Sequence, residues 1–311
     1  MAGLRRFLVL GRCGDKSLHR NWTADTSVPR TWDLQLNSYA KDPATCADQD
    51  LSTVFDHGTK WDSIARHFRA RPGLLDSYDY VMLPDDDLLM RAGDINRLFR
   101  IAVEYDLTIA QPALTPDSYI SYPILLQMPG FRLRYSTFLE SMACCLQSSY
   151  LRALLPMFER HFTAWGTDLV WATLMRDPAY RAAIIDAVPM THTRPLYSGP
   201  LYSSYAKGID PRAEIDQIAS SFENMPNGTQ IYGGVLTNGR RVGPVAARVL
   251  NGAGMLAVGA RSKKPMAAAR AAAGLLVRAA TQASYRPQQL CARPGTDMAD
   301  IGRGAQRSPR T

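Results

Sequence analysis

The stretch YDYVMLPDDDLLM, Tyr78 to Met90, sets three consecutive aspartates directly behind an apolar run. In an extended chain successive side chains alternate, so Asp85 and Asp87 would share one face and Asp86 the other. Two carboxylates on one face are hard oxygen donors suited to Mn2+ or Mg2+. A cation held there would bridge the phosphates of a nucleotide and stabilise a departing diphosphate. The plainer reading is a solvated acidic turn that caps the helix after it. IIDAVPMTHTRP ends an apolar run at His192, a candidate third ligand through its neutral imidazole, or else an ordinary surface or core histidine. FTAWGTDLVW offers Asp168 as a carboxylate at a pocket mouth, a general base for an acceptor hydroxyl. The alternative there is a simple helix N-cap.

Charged groups that could meet a nucleotide come from two other places. LGRCGDKS follows the first apolar run, where Gly11 and Gly14 permit close backbone approach and Arg12, Asp15 and Lys16 offer contacts to base, ribose or phosphate. It is neither a P-loop nor a complete dinucleotide-binding glycine pattern. Lys60 stands at a helix start in FDHGTKWDS, either as a phosphate contact or as a solvated lysine.

Positioning these groups requires strands that end where the chemistry begins. RRFLVLG and YDYVMLP read as buried strands, and WDLQLNSYA alternates Trp32, Leu34 and Leu36. LTIAQPA and RAAIIDAVPMTH are further strands. Helical spacing appears in Trp61, Ile64, Ala65 and Phe68; in Ile95, Leu98, Phe99 and Ala102, with Asp94 as the expected N-cap; and in Leu151, Leu154, Leu155 and Phe158. One more helix is expected around Pro211–Glu223. Strands alternating with helices predict an α/β fold, a sheet flanked by helices.

The chain of 311 residues is 46% hydrophobic and 21% charged, as in a globular protein. No run of about 18 apolar residues is present, and the four apolar residues after Arg5-Arg6 are too few for a signal-peptide core, so a cytoplasmic protein is expected. The five cysteines lack paired metal spacing and are expected to be reduced thiols. Of the 36 basic residues 13 lie from Arg240 onward, with 2 of the 28 acidic ones, so the first 239 residues carry 23 basic against 26 acidic. A near-neutral body argues against nucleic acid as a partner. The composition divides the chain into a body over 1–238, an Ala/Arg-rich helical extension over 239–284 and a basic tail over 285–311 expected to be disordered. Lys263, Lys264, Arg270 and Arg278 among Ala, Leu and Val suggest weak peripheral contact with an anionic inner membrane face, against the alternative of a solubilising or body-packed helix.

Taken in order, LVLGRCGDKSLHRNW, GTKWDSI, LLDSYDYVMLPDDDL, AQPAL, FLESMACCLQSSYLRALLP, WGTDLVW and DAVPMTHTRP resemble the family called domain of unknown function 707 over about residues 5–200. Plant members of that family carry a label related to lysine–ketoglutarate reductase, and they tend to have Leu where Thr167 stands. No dinucleotide motif here supports a reductase. The family is in turn similar to glycosyltransferases of the A-type, Rossmann-like fold. The resemblance implies Asp85 and Asp87 as metal ligands, Asp86 near ribose or metal, His192 as a third ligand and Asp168 facing the acceptor. It implies a nucleotide-sugar donor and a carbohydrate or lipid-linked acceptor. A non-catalytic sugar- or nucleotide-binding protein on the same fold, or a metal-dependent phosphoesterase or nucleotidyltransferase, are the competing readings.

Overall fold

A computed structural model describes residues 5–161, 163, 165–199, 201–202 and 210–305. The readings that fall on residues 1–4, 203–209 and 306–311 lie outside them. Eleven strands form the mixed sheet: β1 Phe7–Cys13, β2 Trp32–Ser38, β3 Leu51–Phe55, β4 Tyr80–Pro84, β5 Leu88–Leu89, β6 Ile109–Leu114, β7 Phe131–Ser136, β8 Ala143–Gln147, β9 Ala182–His192, β10 Ile231–Leu236 and β11 Arg241–Val242. The helices are α1 His19–Thr23, α2 Lys60–Ala70, α3 Ala92–Glu104, α4 Ser148–Arg160, α5 Thr167–Leu174, α6 Pro211–Ser220, α7 Pro244–Gly259, α8 Pro265–Thr281 and α9 Met298–Ala305.

The strand order is β11-β10-β7-β9-β6-β8-β4-β1-β2-β3, with β5 added against β9. β1 runs parallel to both β2 and β4, and β6 runs parallel to β9. Between β4 and β6 lies β8, antiparallel to each. Hence β1, β2, β3, β4, β6 and β9 all point one way and end on one edge. The chain winds outward from β1 through β2 and β3, then returns to place β4 on the other side of β1. That reversal is a topological switch point beyond the carboxyl ends of β1 and β4, the place where open α/β sheets bind ligands.

The apolar runs of β1 and β4 are buried along nearly their whole length, as strands covered on both faces must be. Trp61, Ile64, Ala65 and Phe68 are buried on α2, and Ile95, Leu98, Phe99 and Ala102 on α3. Trp61 meets Phe158 of α4 at 4.4 Å and Trp171 of α5 at 5.8 Å between ring centres. Asp94 differs from expectation: Arg91 occupies the N-cap position, and Asp94 stands in the first turn, where its charge still favours the positive helix end.

The carboxyl-terminal third is more integrated than its composition suggested. Strand β10 pairs with β7 inside the sheet and α7 packs on β10, so the expected boundary at 238/239 falls inside a β-hairpin. Arg248 of α7 is fully buried and donates to the carbonyls of Ile231, Arg278 and Gln282. Residues 285–305 were expected to be disordered. Instead Leu290, Met298 and Ile301 are buried, and α9 packs on α4. Three large apolar side chains spaced along that segment are enough to dock it. All five cysteines are free thiols, with Cys291 alone exposed. Among the described residues no helix is long and apolar enough to cross a membrane.

Candidate functional site

The site is built where β4 ends. Asp85 follows Pro84, and its N–H donates to the Met142 carbonyl at 2.8 Å, tying the aspartate run to the segment that enters β8. Three residues later the chain forms β5, whose Leu88 and Leu89 pair with His192 and Thr191 at the end of β9. That short pairing explains why residues 105 positions apart meet. His192 Nε2 lies 3.1 Å from Asp87 Oδ2, and His192 Nδ1 is 2.7 Å from the Tyr119 carbonyl. Burial opposes a charge on His192, but the hydrogen bond to Asp87 and its negative charge prevail and push the imidazole up to about 9. Asp87 Oδ1 is buried with no hydrogen-bond partner among the described residues.

Asp85 faces a cation already supplied by the protein. Lys60 Nζ donates to Asp85 Oδ1 at 2.6 Å and to the Ser141 carbonyl at 2.8 Å. The Lys60 side chain is 14% exposed, whereas 38% of Asp85's still touches solvent. Crowding by the surrounding walls raises the Asp85 pKa above the usual carboxylate range, against the pull of Lys60.

Asp86, expected beside a ribose or metal, is only 6% exposed and turns into the protein. Its Oδ2 accepts from the Gly14 N–H and the Tyr39 hydroxyl, each at 2.8 Å, and its Oδ1 accepts from Arg194 at 2.8 Å. Arg194 also donates to the Lys16 carbonyl, and the Leu18 N–H donates to the Asp86 carbonyl at 2.7 Å. Asp86 thus pins the loop after β1 to the end of β4. Gly14 is required by this closure, because a Cβ there would come within 2.6 Å of the Tyr39 ring. The glycine expected to admit a ligand therefore admits one of the protein's own side chains.

The other residues singled out after β1 divide by exposure. Arg12 is buried, donates to Asn37 Oδ1 and the Gly58 carbonyl, and lies over the Tyr39 ring at 4.8 Å. It supports the site from inside. Asp15 accepts from the Lys41 and Asp42 N–H groups and so fastens the loop after β2. Lys16 is exposed.

Two further carboxyls lie within electrostatic reach of this group. Asp168 lies in the first turn of α5, behind Gly166, whose φ of +94° makes it the left-handed N-cap. Burial foremost, and then the neighbouring Glu140, raise Asp168 to about 7, although backbone N–H groups at the helix start favour its charged form. Glu140, for which no motif prepared us, is 8% exposed. Its backbone N–H donates to Gln111 Oε1. Its Oε2 is buried without a partner among the described residues. Burial raises Glu140 to about 7 as well, against a hydrogen bond from Ser121 and the charge of His192. The signal that could have found it is positional: Glu140 lies in the connection entering β8, which begins on the edge where β4 and β6 end.

Asp85, Asp87 and His192 supply hard oxygen and imidazole donors, the chemistry that Mn2+ or Mg2+ takes. The unpartnered Asp87 oxygen beside His192 fits a cation. Lys60 engages Asp85 Oδ1, and among the described residues no three such side chains are gathered as a ready cluster.

The fold is a mixed α/β sheet flanked by helices, with candidate groups at the switch point. A family model described as protein of unknown function (DUF707) matches residues 45–177, which hold Lys60, the aspartate run, Glu140 and Asp168. None of the curated proteins compared matches the chain. Among solved structures the chain is similar to the S. aureus TarS 1–349 crystal structure in complex with UDP-GlcNAc. Identity there is 10% and the TM-score 0.44, over 89% of this chain and 73% of that one.

Proposed function

We propose that the protein is a glycosyltransferase that moves a sugar from a nucleotide diphosphate to an acceptor hydroxyl. The observation that carries this reading is convergence. Lys60 is bonded to Asp85 and His192 to Asp87, and the Glu140–Asp168 pair lies within electrostatic reach of them, near the carboxyl edge of the sheet.

In this reading Asp85, Asp87 and His192 would hold a divalent cation, which when bound would neutralise charge on the diphosphate leaving group. Lys60 supplies a fixed positive charge on the same side. Asp168, held near 7, is matched to accepting a proton from an acceptor hydroxyl at neutral pH. Asp86 and Arg194 keep the two walls at fixed separation. The unpaired oxygens of Asp87 and Glu140 are places where a ligand's donors or a cation would be stabilised.

The test is thermal unfolding of the full chain with UDP or GDP, with and without Mn2+. We expect a rise in Tm that needs both nucleotide and cation and is absent in Asp87→Ala. Stabilisation by neither nucleotide, at any cation concentration, sinks the reading.

A further inference from the structure

We infer that Tyr122, Trp165, Tyr197 and Tyr202 form an acceptor subsite that stacks the ring of a carbohydrate beside the Glu140–Asp168 pair. The inference rests on the transferase reading above and narrows it, assigning the acceptor to uncharged sugar.

The four rings come from three connections: Tyr122 between β6 and β7, Trp165 between α4 and α5, and Tyr197 and Tyr202 between β9 and α6. Trp165 lies 5.9 Å from Tyr197 and 6.0 Å from Tyr202 between centres, and Tyr197 lies 5.2 Å from Tyr202. Trp165 Nε1 donates to the Tyr202 hydroxyl at 3.1 Å, locking one edge of the cluster. Tyr122 packs on Phe138 at 4.3 Å, with 37% of its surface open. Tyr197 is 63% exposed, at a φ of +64° that a residue with a Cβ seldom adopts. A large aromatic ring left open on a left-handed backbone is costly in both respects.

The chain connects these rings to the carboxyls. Ser121, next to Tyr122, hydrogen-bonds Glu140, and Trp165 stands in the turn that opens onto Asp168. The Tyr122 hydroxyl is pushed up to about 12, by burial and then by the charges of Asp168 and Glu140. The Tyr202 hydroxyl likewise rises to about 12, with Asp85 and Glu140 among the causes after burial.

A pyranose suits this combination. One of its faces is a patch of C–H groups, which the electron-rich face of an aromatic ring attracts. Its rim is a set of hydroxyls that need acceptors, and Glu140 Oε2 is a buried acceptor without a donor. A cationic ligand would also find ring faces and carboxyls, but the charges of His192 and Lys264 already act on Glu140 and would repel it.

Trp165 also provides the readout. Trp22, Trp32 and Trp171 are fully buried and Trp61 is 4% exposed, so a bound sugar reaches tryptophan fluorescence only through Trp165. The experiment titrates the full chain with cellotetraose, maltotetraose and N,N′,N″,N‴-tetraacetylchitotetraose, and with choline and spermine as cationic controls. We expect saturable fluorescence change with at least one sugar, weakened about tenfold or more in Tyr197→Ala and in Tyr122→Ala. Both variants should keep the nucleotide-dependent rise in Tm, which shows them folded. No response to any sugar, response only to the cations, or sugar binding unchanged in both variants overturns the subsite. Sugar binding without any effect of nucleotide on Tm leaves the aromatic subsite standing and overturns the transferase reading.

Discussion

Two carboxyl groups of the candidate site, Asp86 and Asp168, have different surroundings. Asp86 accepts from a backbone N–H, a tyrosine hydroxyl and a guanidinium. Asp168 is favoured in its charged form by N–H groups of its helix start, but burial and the neighbouring Glu140 outweigh them and raise its proton affinity. A carboxylate so well supplied has no lone pair pressing for a ligand, so Asp86 holds walls. A carboxyl raised by burial beside a second carboxyl is poised to take a proton. The contrast separates architecture from chemistry within one pocket, although both residues carry the same functional group.

Exchanging Asp168 for Asn gives the largest effect that would break this contrast. If Asp168 takes the acceptor proton, Asp168→Asn lowers the transfer rate by about 10²–10⁴-fold, measured as sugar transfer from a nucleotide sugar. The wild-type rate should climb as pH passes through about 7, where Asp168 loses its proton. Stability should move the other way. The folded-state pKa lies above the unfolded value of 3.8, so this group stabilises the fold at low pH and that contribution is lost as pH rises through about 7. Asp168→Asn should therefore unfold at a higher temperature than wild type at pH 8, by about 1–3 kcal/mol, and lose that advantage near pH 4. An Asn variant that is active, or that is less stable at pH 8, would place Asp168 with Asp86 as architecture.

Asp86→Ala tests the other side. It strands Arg194, the Tyr39 hydroxyl and the Gly14 N–H together, with an expected loss of about 2–4 kcal/mol in urea unfolding. A variant of wild-type stability would free Asp86 for the ribose contact expected from sequence.

How much of this was legible beforehand depended on whether a residue obeyed its local rule. The runs of β1 and β4 are continuous apolar segments and announce themselves, as do the stripes of α2 and α3. Strand β7 does not, because Arg134 sits fully buried in its middle, paired with Asp186 of β9 at 2.9 Å and bonded to the carbonyls of Ile124 and Leu126. A charge in a strand reads as a loop until its partner 52 residues away is known. Helix α7 falls inside the helical extension expected over 239–284, and its Gly252 is needed because a Cβ there would press on Leu276 of α8 at 3.1 Å. Within the site, the acidic run and His192 stood out by type and position. Glu140, Tyr122, Tyr197 and Tyr202 belong to no motif, and only folding brings them to one place. In the basic segment two cations take the body-packed alternative. Lys263 lies over the Tyr119 ring at 3.3 Å, and Arg278 donates to the Thr229 carbonyl at 2.7 Å. Both are engaged with the body, which leaves the peripheral membrane contact without these two cations.

The smallest effect sharpens the comparison from the cation side. His192 is held near 9 by Asp87, so at pH 7.5 the imidazole is charged in the free protein. An imidazolium has no lone pair for a metal, so a cation that uses His192 must displace its proton. Titrating Mn2+ calorimetrically in two buffers of different ionisation enthalpy measures that release. About one proton per cation is expected at pH 7.5, falling toward zero as pH rises beyond about 9, and His192→Gln should abolish the release while leaving weaker binding through Asp87. Binding with no proton released at pH 7.5 would mean that the cation bypasses His192. The ring would then belong with Asp86 among the groups that hold the pocket's shape, fixed through Asp87 and the Tyr119 carbonyl.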